Sequence, residues 1–144
     1  MKEGIKNLDC LLKHMRPTLH NKEYVFCTLP EQPKNIKPLM MFREKEGITL
    51  IIDKETAEKE NIPYNDTWCC ITLDVHSDLT VVGFLAKITE KLAAAGISVN
   101  VVSAYYHDHL FVQKKDSKKA MQVLKLLSKK RENHARGKGS QKTR

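Results

Sequence analysis

Apolar residues recur along this chain with two periods, and the switches between them mark out its elements. Leu8, Leu11, Leu12 and Met15 are spaced three, one and three, which is one face of a short helix that Pro17 stops. Glu23 to Leu29 is aromatic and β-branched and predicts a strand. Residues 30–38 carry three prolines and read as a surface connection. Leu39 to Arg43 and Ile48 to Asp53 flank Glu44-Lys45-Glu46-Gly47, a hairpin turn in which Gly47 is expected to take backbone angles other residues avoid. Lys54 to Glu60 predicts a short polar helix, and Asn61 to Asp66 is the expected seam between two halves.

The second half is patterned more clearly. From Thr67 to Val75, Trp68, Cys70, Thr72 and Asp74 alternate with Cys69, Ile71, Leu73 and Val75, the period of a strand. Leu79 to Ala95 carries a helical stripe at Val81, Phe84, Leu85, Ile88, Leu92 and Ala95, with Ser77 or Asp78 as its cap and Gly96 as its end. Ile97 to Ala104 predicts a strand, Tyr105 to His109 a turn, and Leu110 to Gln113 a returning strand. Ser117 is expected to cap a last helix with Ala120, Val123, Leu124 and Leu127 facing inward. The halves thus read α-β-β-β-α and β-α-β-β-α, the second one strand short of a ferredoxin-like unit. An incomplete sheet leaves an edge that invites pairing, so the two halves, or two chains, are expected to complete each other's sheets, with helices on one face.

Charge changes this picture at one end. The net charge of +8 is carried by the segment from Lys114 to Arg144, which holds 12 Lys/Arg and 2 Asp/Glu; residues 1–113 hold 13 basic and 15 acidic side chains. The body is therefore slightly acidic, and residues 131–144 read as a basic, disordered tail. No apolar run approaches a membrane span, and the charged N-terminus does not resemble a signal peptide, so a cytoplasmic protein without membrane contact is expected. Cys10, Cys27, Cys69 and Cys70 lack C-x-x-C spacing and read as reduced thiols.

Chemistry is concentrated at Val75-His76-Ser77-Asp78-Leu79, where the first strand of the second half meets its helix. A strand-to-helix joint of this kind offers free backbone N–H groups and the positive end of a helix dipole, which suit a carboxylate. The plainer reading is that Ser77 or Asp78 simply caps the helix. Elsewhere the candidates are weaker. His107-Asp108-His109 places two imidazoles on one strand face without a third ligand, so Asp108 reads as tying a turn and no metal is expected. Glu44 and Glu46 bracket a glycine turn as solvated charges, and Gly137-Lys138-Gly139-Ser140 lacks the spacing of a phosphate loop. No catalytic residue and no cofactor is expected.

Taken together, His76-Ser77-x-Leu79 with Gly83, Ala94-Ala95-Gly96-Ile97-Ser98-Val99-Asn100-Val101-Val102, and Tyr105-Tyr106-His107-Asp108-His109-Leu110-Phe111-Val112 resemble the ACT-domain family. Tyr24-Val25-Phe26-Cys27 and Phe42-Arg43-Glu44-x-Glu46-Gly47-x-Thr49-Leu50 resemble the N-terminal unit of its small stand-alone members with two ACT-like halves, so the likeness spans roughly residues 7–128. The resemblance implies an α+β fold of two ferredoxin-like (βαββαβ-type) units, 1–64 and 65–130, with antiparallel sheets and helices on one face. It also implies a non-catalytic regulatory protein that binds an amino acid or related metabolite and pairs as a homodimer. In such modules the ligand lies between units, against the first strand-to-helix loop and the start of the next strand. Carried over by position, that gives Asp74, Val75, His76, Ser77, Asp78, Leu79, Thr80 and Gly83, with Asn100, Val101 and Val102 across from them. Backbone N–H groups of Leu79 and Thr80 would hold an α-carboxylate, and Asp74 or Asp78 an α-ammonium. The alternative function is nucleic-acid association through the basic tail, although nucleic acid is not the expected partner.

Overall fold

Pro17–Leu29 forms the long strand on which the rest of the molecule is assembled (β1). The computed structural model describes residues 4–138, with side chains as far as Lys129. On one side β1 pairs with β3 (Ile48–Asp53), and β2 (Met40–Arg43) lies outside β3. On the other side it pairs with β4 (Trp68–Leu73), followed by β6 (Asp108–Gln113) and β5 (Val99–Ser103). The order is β2-β3-β1-β4-β6-β5, antiparallel at every junction. The halves therefore complete each other's sheets within one chain, through β1 and β4. The polar run His20-Asn21-Lys22 disguises the first part of β1 in the sequence; it sits where the register with β4 shifts between Leu19 and Glu23. Pro17 opens the strand, where a missing N–H costs no ladder bond.

Alternation assigns the two faces. Val25, Cys27, Leu50, Ile52, Ile71, Leu73, Leu110 and Val112 point to one side, which all four helices cover. The helices are α1 (Leu8–His14), α2 (Lys54–Lys59), α3 (Phe84–Ala94) and α4 (Ser117–Lys138). Leu11, Leu12 and Met15 pack among Ile71, Leu73, Phe84, Ile88 and Leu124, so α1 serves the core of the second half. A smaller core of Val25, Cys27, Leu50 and Ile52 lies under α2 and its Ala57. The other face carries Tyr24, Phe26, Ile51, Trp68, Cys70 and Phe111, and among the described residues no helix lies on it.

Several local expectations change. The helix predicted from Leu79 begins at Phe84, because Gly83 has φ 89° and cannot sit inside a right-handed helix. Gly47, at φ 158°, is close to fully extended; a Cβ there would lie 3.0 Å from the Leu29 carbonyl oxygen, so close approach explains the glycine. Ser117 is the first residue of α4, and its hydroxyl donates to the Lys114 carbonyl across a short 3-10 turn, Lys114–Asp116. The backbone of 131–138 continues α4, where disorder was expected, since Lys, Arg, Glu and Ala favour helix. The rest of the expected tail, 139–144, lies outside the described residues.

Candidate functional site

The joint after β4 is built by an exchange of backbone bonds with the N-terminal segment. Ile5 donates its N–H to the His76 carbonyl at 2.7 Å and accepts from the Asp78 N–H at 3.0 Å, a single parallel bridge. Asp78 then folds the chain on itself, its carboxylate accepting from the Thr80 N–H at 2.8 Å and from the Thr80 hydroxyl. Those two bonds hold the Asp78 carboxyl below the usual carboxylate range. The Val81 N–H closes on the Asp78 carbonyl at 3.1 Å. Asp78 thus caps a turn, not the helix, and the N–H groups of Asp78 and Thr80 are already engaged.

Beyond this turn α3 starts without a side-chain cap, and the segment from Ser77 to Ala86 faces the start of β6 across a cavity of about 160 Å³. Asp108 forms its far wall. This carboxylate is only 3% exposed. The Ser77 hydroxyl donates to Oδ2 at 3.1 Å and the Ser103 hydroxyl to Oδ1 at 2.7 Å. Ser103 and Asp108 are direct partners across the β5–β6 hairpin, which is what sets the second bond. The uncapped first turn of an eleven-residue helix and a buried carboxylate therefore share one small cavity. Such a pair is suited to a group carrying both charges.

The residues carried over from the resemblance are not gathered at one place. Ser77, Asp78, Leu79 and Gly83 line this cavity, whereas Thr80 is exposed beside it. Val75 is buried in the core. Asp74 points away and pairs with His107 Nε2 at 3.3 Å. His76 lies against the rings of Tyr105 and Tyr106, with centroids 6.1 and 5.3 Å away. Asn100 and Val102 pair with Phe111 and His109, which puts them on the uncovered sheet face, and Val101 packs into the core. The strand across the joint is thus the end of β5, not its start. Asp108 and Ser103 were missed by sequence reasoning; hairpin counting is the signal that finds them, since Asp108 falls opposite Ser103.

A larger cleft of about 710 Å³ lies between α2 and the start of α4, and most of its charges are paired with one another. Glu23 binds Lys114 at 2.6 Å and Lys54 at 3.6 Å, and the Lys114 bond holds its carboxyl below the ordinary value.

Two family models described as ACT domain match residues 3–69 and 64–125. No match is found among curated proteins. A solved Vibrio cholerae protein of unknown function, described as a possible transport protein, is 40% identical, with a TM-score of 0.77 over 88% of this chain and 99% of its own. An Agrobacterium tumefaciens protein shares 18% identity, with a TM-score of 0.64 over 78% of this chain and 87% of its own. The ligand-free regulatory subunit of aspartate kinase from Thermus thermophilus shares 8% identity, with a TM-score of 0.55 over 77% of this chain and 95% of its own; at such identities the likeness is one of fold. Among the described residues no helix is long and apolar enough to cross a membrane.

Proposed function

The chain belongs to the ACT-domain family, as two units in tandem, and we propose that it is a regulatory protein that binds a small amino acid at the Ser77–Asp108 cavity. Family membership supports a regulatory role in small-molecule binding, and the family's modules are typically non-catalytic. The amino acid is our own step. It rests on Asp108, whose buried carboxylate would take an α-ammonium while the first N–H groups of α3, at Leu85 and Ala86, take the α-carboxylate. Relative to the resemblance, this moves the carboxylate from the Leu79–Thr80 turn to the helix start, and the ammonium from Asp74 or Asp78 to Asp108. We assign the units to 1–64 and 65–130, a dimer as the working assembly and the cytoplasm as the location.

Thermal-shift screening against the twenty amino acids, followed by calorimetry on the hits, tests the reading. A ligand at a hundredfold over its dissociation constant adds about 2.7 kcal/mol. Asp108→Asn keeps the fold and loses the response, because the ammonium loses its charge partner. A folded wild-type protein that shifts with no amino acid sinks the proposal.

A further inference from the structure

The uncovered sheet face holds a second cavity, of about 300 Å³, that the regulatory reading does not use. That volume is at the lower end of pockets that enclose a small organic molecule, roughly 300 to 1,000 Å³. Its lining comes from both edges of the sheet: Met40 belongs to β2 and Val102 to β5, four strands of the sheet lying between them. The sheet must therefore curl towards this side. Cys70 and Phe111 are 3% and 1% exposed although no helix among the described residues covers them, and burial pushes the Cys70 thiol pKa up to about 11. Tyr24 and Phe26 stand edge-on to Phe111, with ring centroids 6.0 and 5.5 Å away, which makes one side of the cavity rigid.

One end is polar in a particular way. Thr72 Oγ1 lies 2.7 Å from His20 Nε2 and 2.9 Å from His109 Nδ1. A hydroxyl has one proton, so it donates to one imidazole and accepts from the other. His20 Nδ1 and His109 Nε2 take no part in this chain. Burial, and then the neighbouring His107 and His20, lower the His109 pKa, which keeps that ring neutral near pH 7. Among the described residues no Lys, Arg, Asp or Glu lines the cavity. An ionised guest would lose its hydration there without a counter-charge.

We propose that this cavity is a second ligand site, independent of the Ser77–Asp108 cavity, which takes an uncharged aromatic molecule bearing one hydroxyl or ring N–H. The ring lies against Phe111 and Met40, and the polar group meets the His20–Thr72–His109 end.

Methyl NMR on protein labelled at the methionine methyl groups tests this, with p-cresol as the probe. Met40 lines the cavity, whereas Met41, its neighbour on the strand, packs in the core under α2 and serves as the internal control. A saturable shift of Met40 without one at Met41 is expected. Val102→Phe fills the space and should weaken the response at least tenfold; Ala104→Phe does the same from the hairpin if the first variant fails to fold. Thr72→Val should weaken p-cresol severalfold and leave toluene unchanged. Amino acids should leave Met40 unmoved. A Met40 resonance that never saturates, or a response that survives both filling variants, overturns the proposal. So does a Met40 shift that follows protein concentration in place of p-cresol, which would report a second copy on this face.

Discussion

The two halves of this chain are held together very unequally. The first rests on Val25, Cys27, Leu50 and Ile52 beneath a six-residue helix. The second packs Ile71, Leu73, Leu110 and Val112 beneath three helices, one of which, α1, comes from the first half. The first half also supplies β1, the neighbour of β4. A division of the sequence at 64/65 therefore does not divide the packing. Two matches to one family need not mean two bodies that stand alone.

The largest effect follows from separating them. The segment 65–144 alone loses the partner of β4 together with Leu11, Leu12 and Met15, and it should show neither a dispersed NMR spectrum nor a cooperative urea transition. A cooperative transition in that fragment would break the comparison. Next comes Leu12→Ala, at a site with no exposed surface, expected to cost about 2–5 kcal/mol by urea unfolding. Ile52→Val in the smaller core should cost about 0.5–1.5 kcal/mol. Asp108→Ala leaves the Ser77 and Ser103 hydroxyls without their acceptor and should cost about 1–3 kcal/mol, with the amino-acid response lost. Gly4→Ala places a Cβ 2.5 Å from the Asp78 nitrogen, so the Ile5 bridge must open. Faster amide exchange at Asp78 is the expected readout.

The smallest effect is one of pH. His109 has its folded pKa below the ordinary 6.5, mainly through burial. The unfolded chain then binds more protons than the folded one between that lowered value and 6.5, so stability falls on acidification through this window and is flat above it. Unfolding free energies measured from pH 7.5 down to 5 should show this slope, and His109→Gln should flatten it.

What could be read from sequence, and what could not, divides along physical lines. The stripe Phe84, Ile88 and Leu92 was legible because helical periodicity is set by burial, and all three are buried. The start of the same helix was not. Val81 fits the period, but the bonds from Asp78 to Thr80 spend the cap on a turn, and Gly83 then breaks the helical path. The joint itself was visible as a polar interruption between two patterned segments. Asp108 stayed out of view because it looks like any turn residue until the β5–β6 register sets it opposite Ser103. Likewise, no local pattern tells Asn100 which face it will occupy; that depends on pairing with Phe111.

The position of β1 has a consequence for how any signal would travel. This strand is hydrogen-bonded to β3 along one edge and to β4 along the other, so opening either ladder frees one side of the same backbone. Neither half is therefore expected to melt separately. A guest that raises the cost of opening β4 should also slow hydrogen exchange in Leu50 and Ile52, in the half it never touches, and that transmitted protection needs no change of shape.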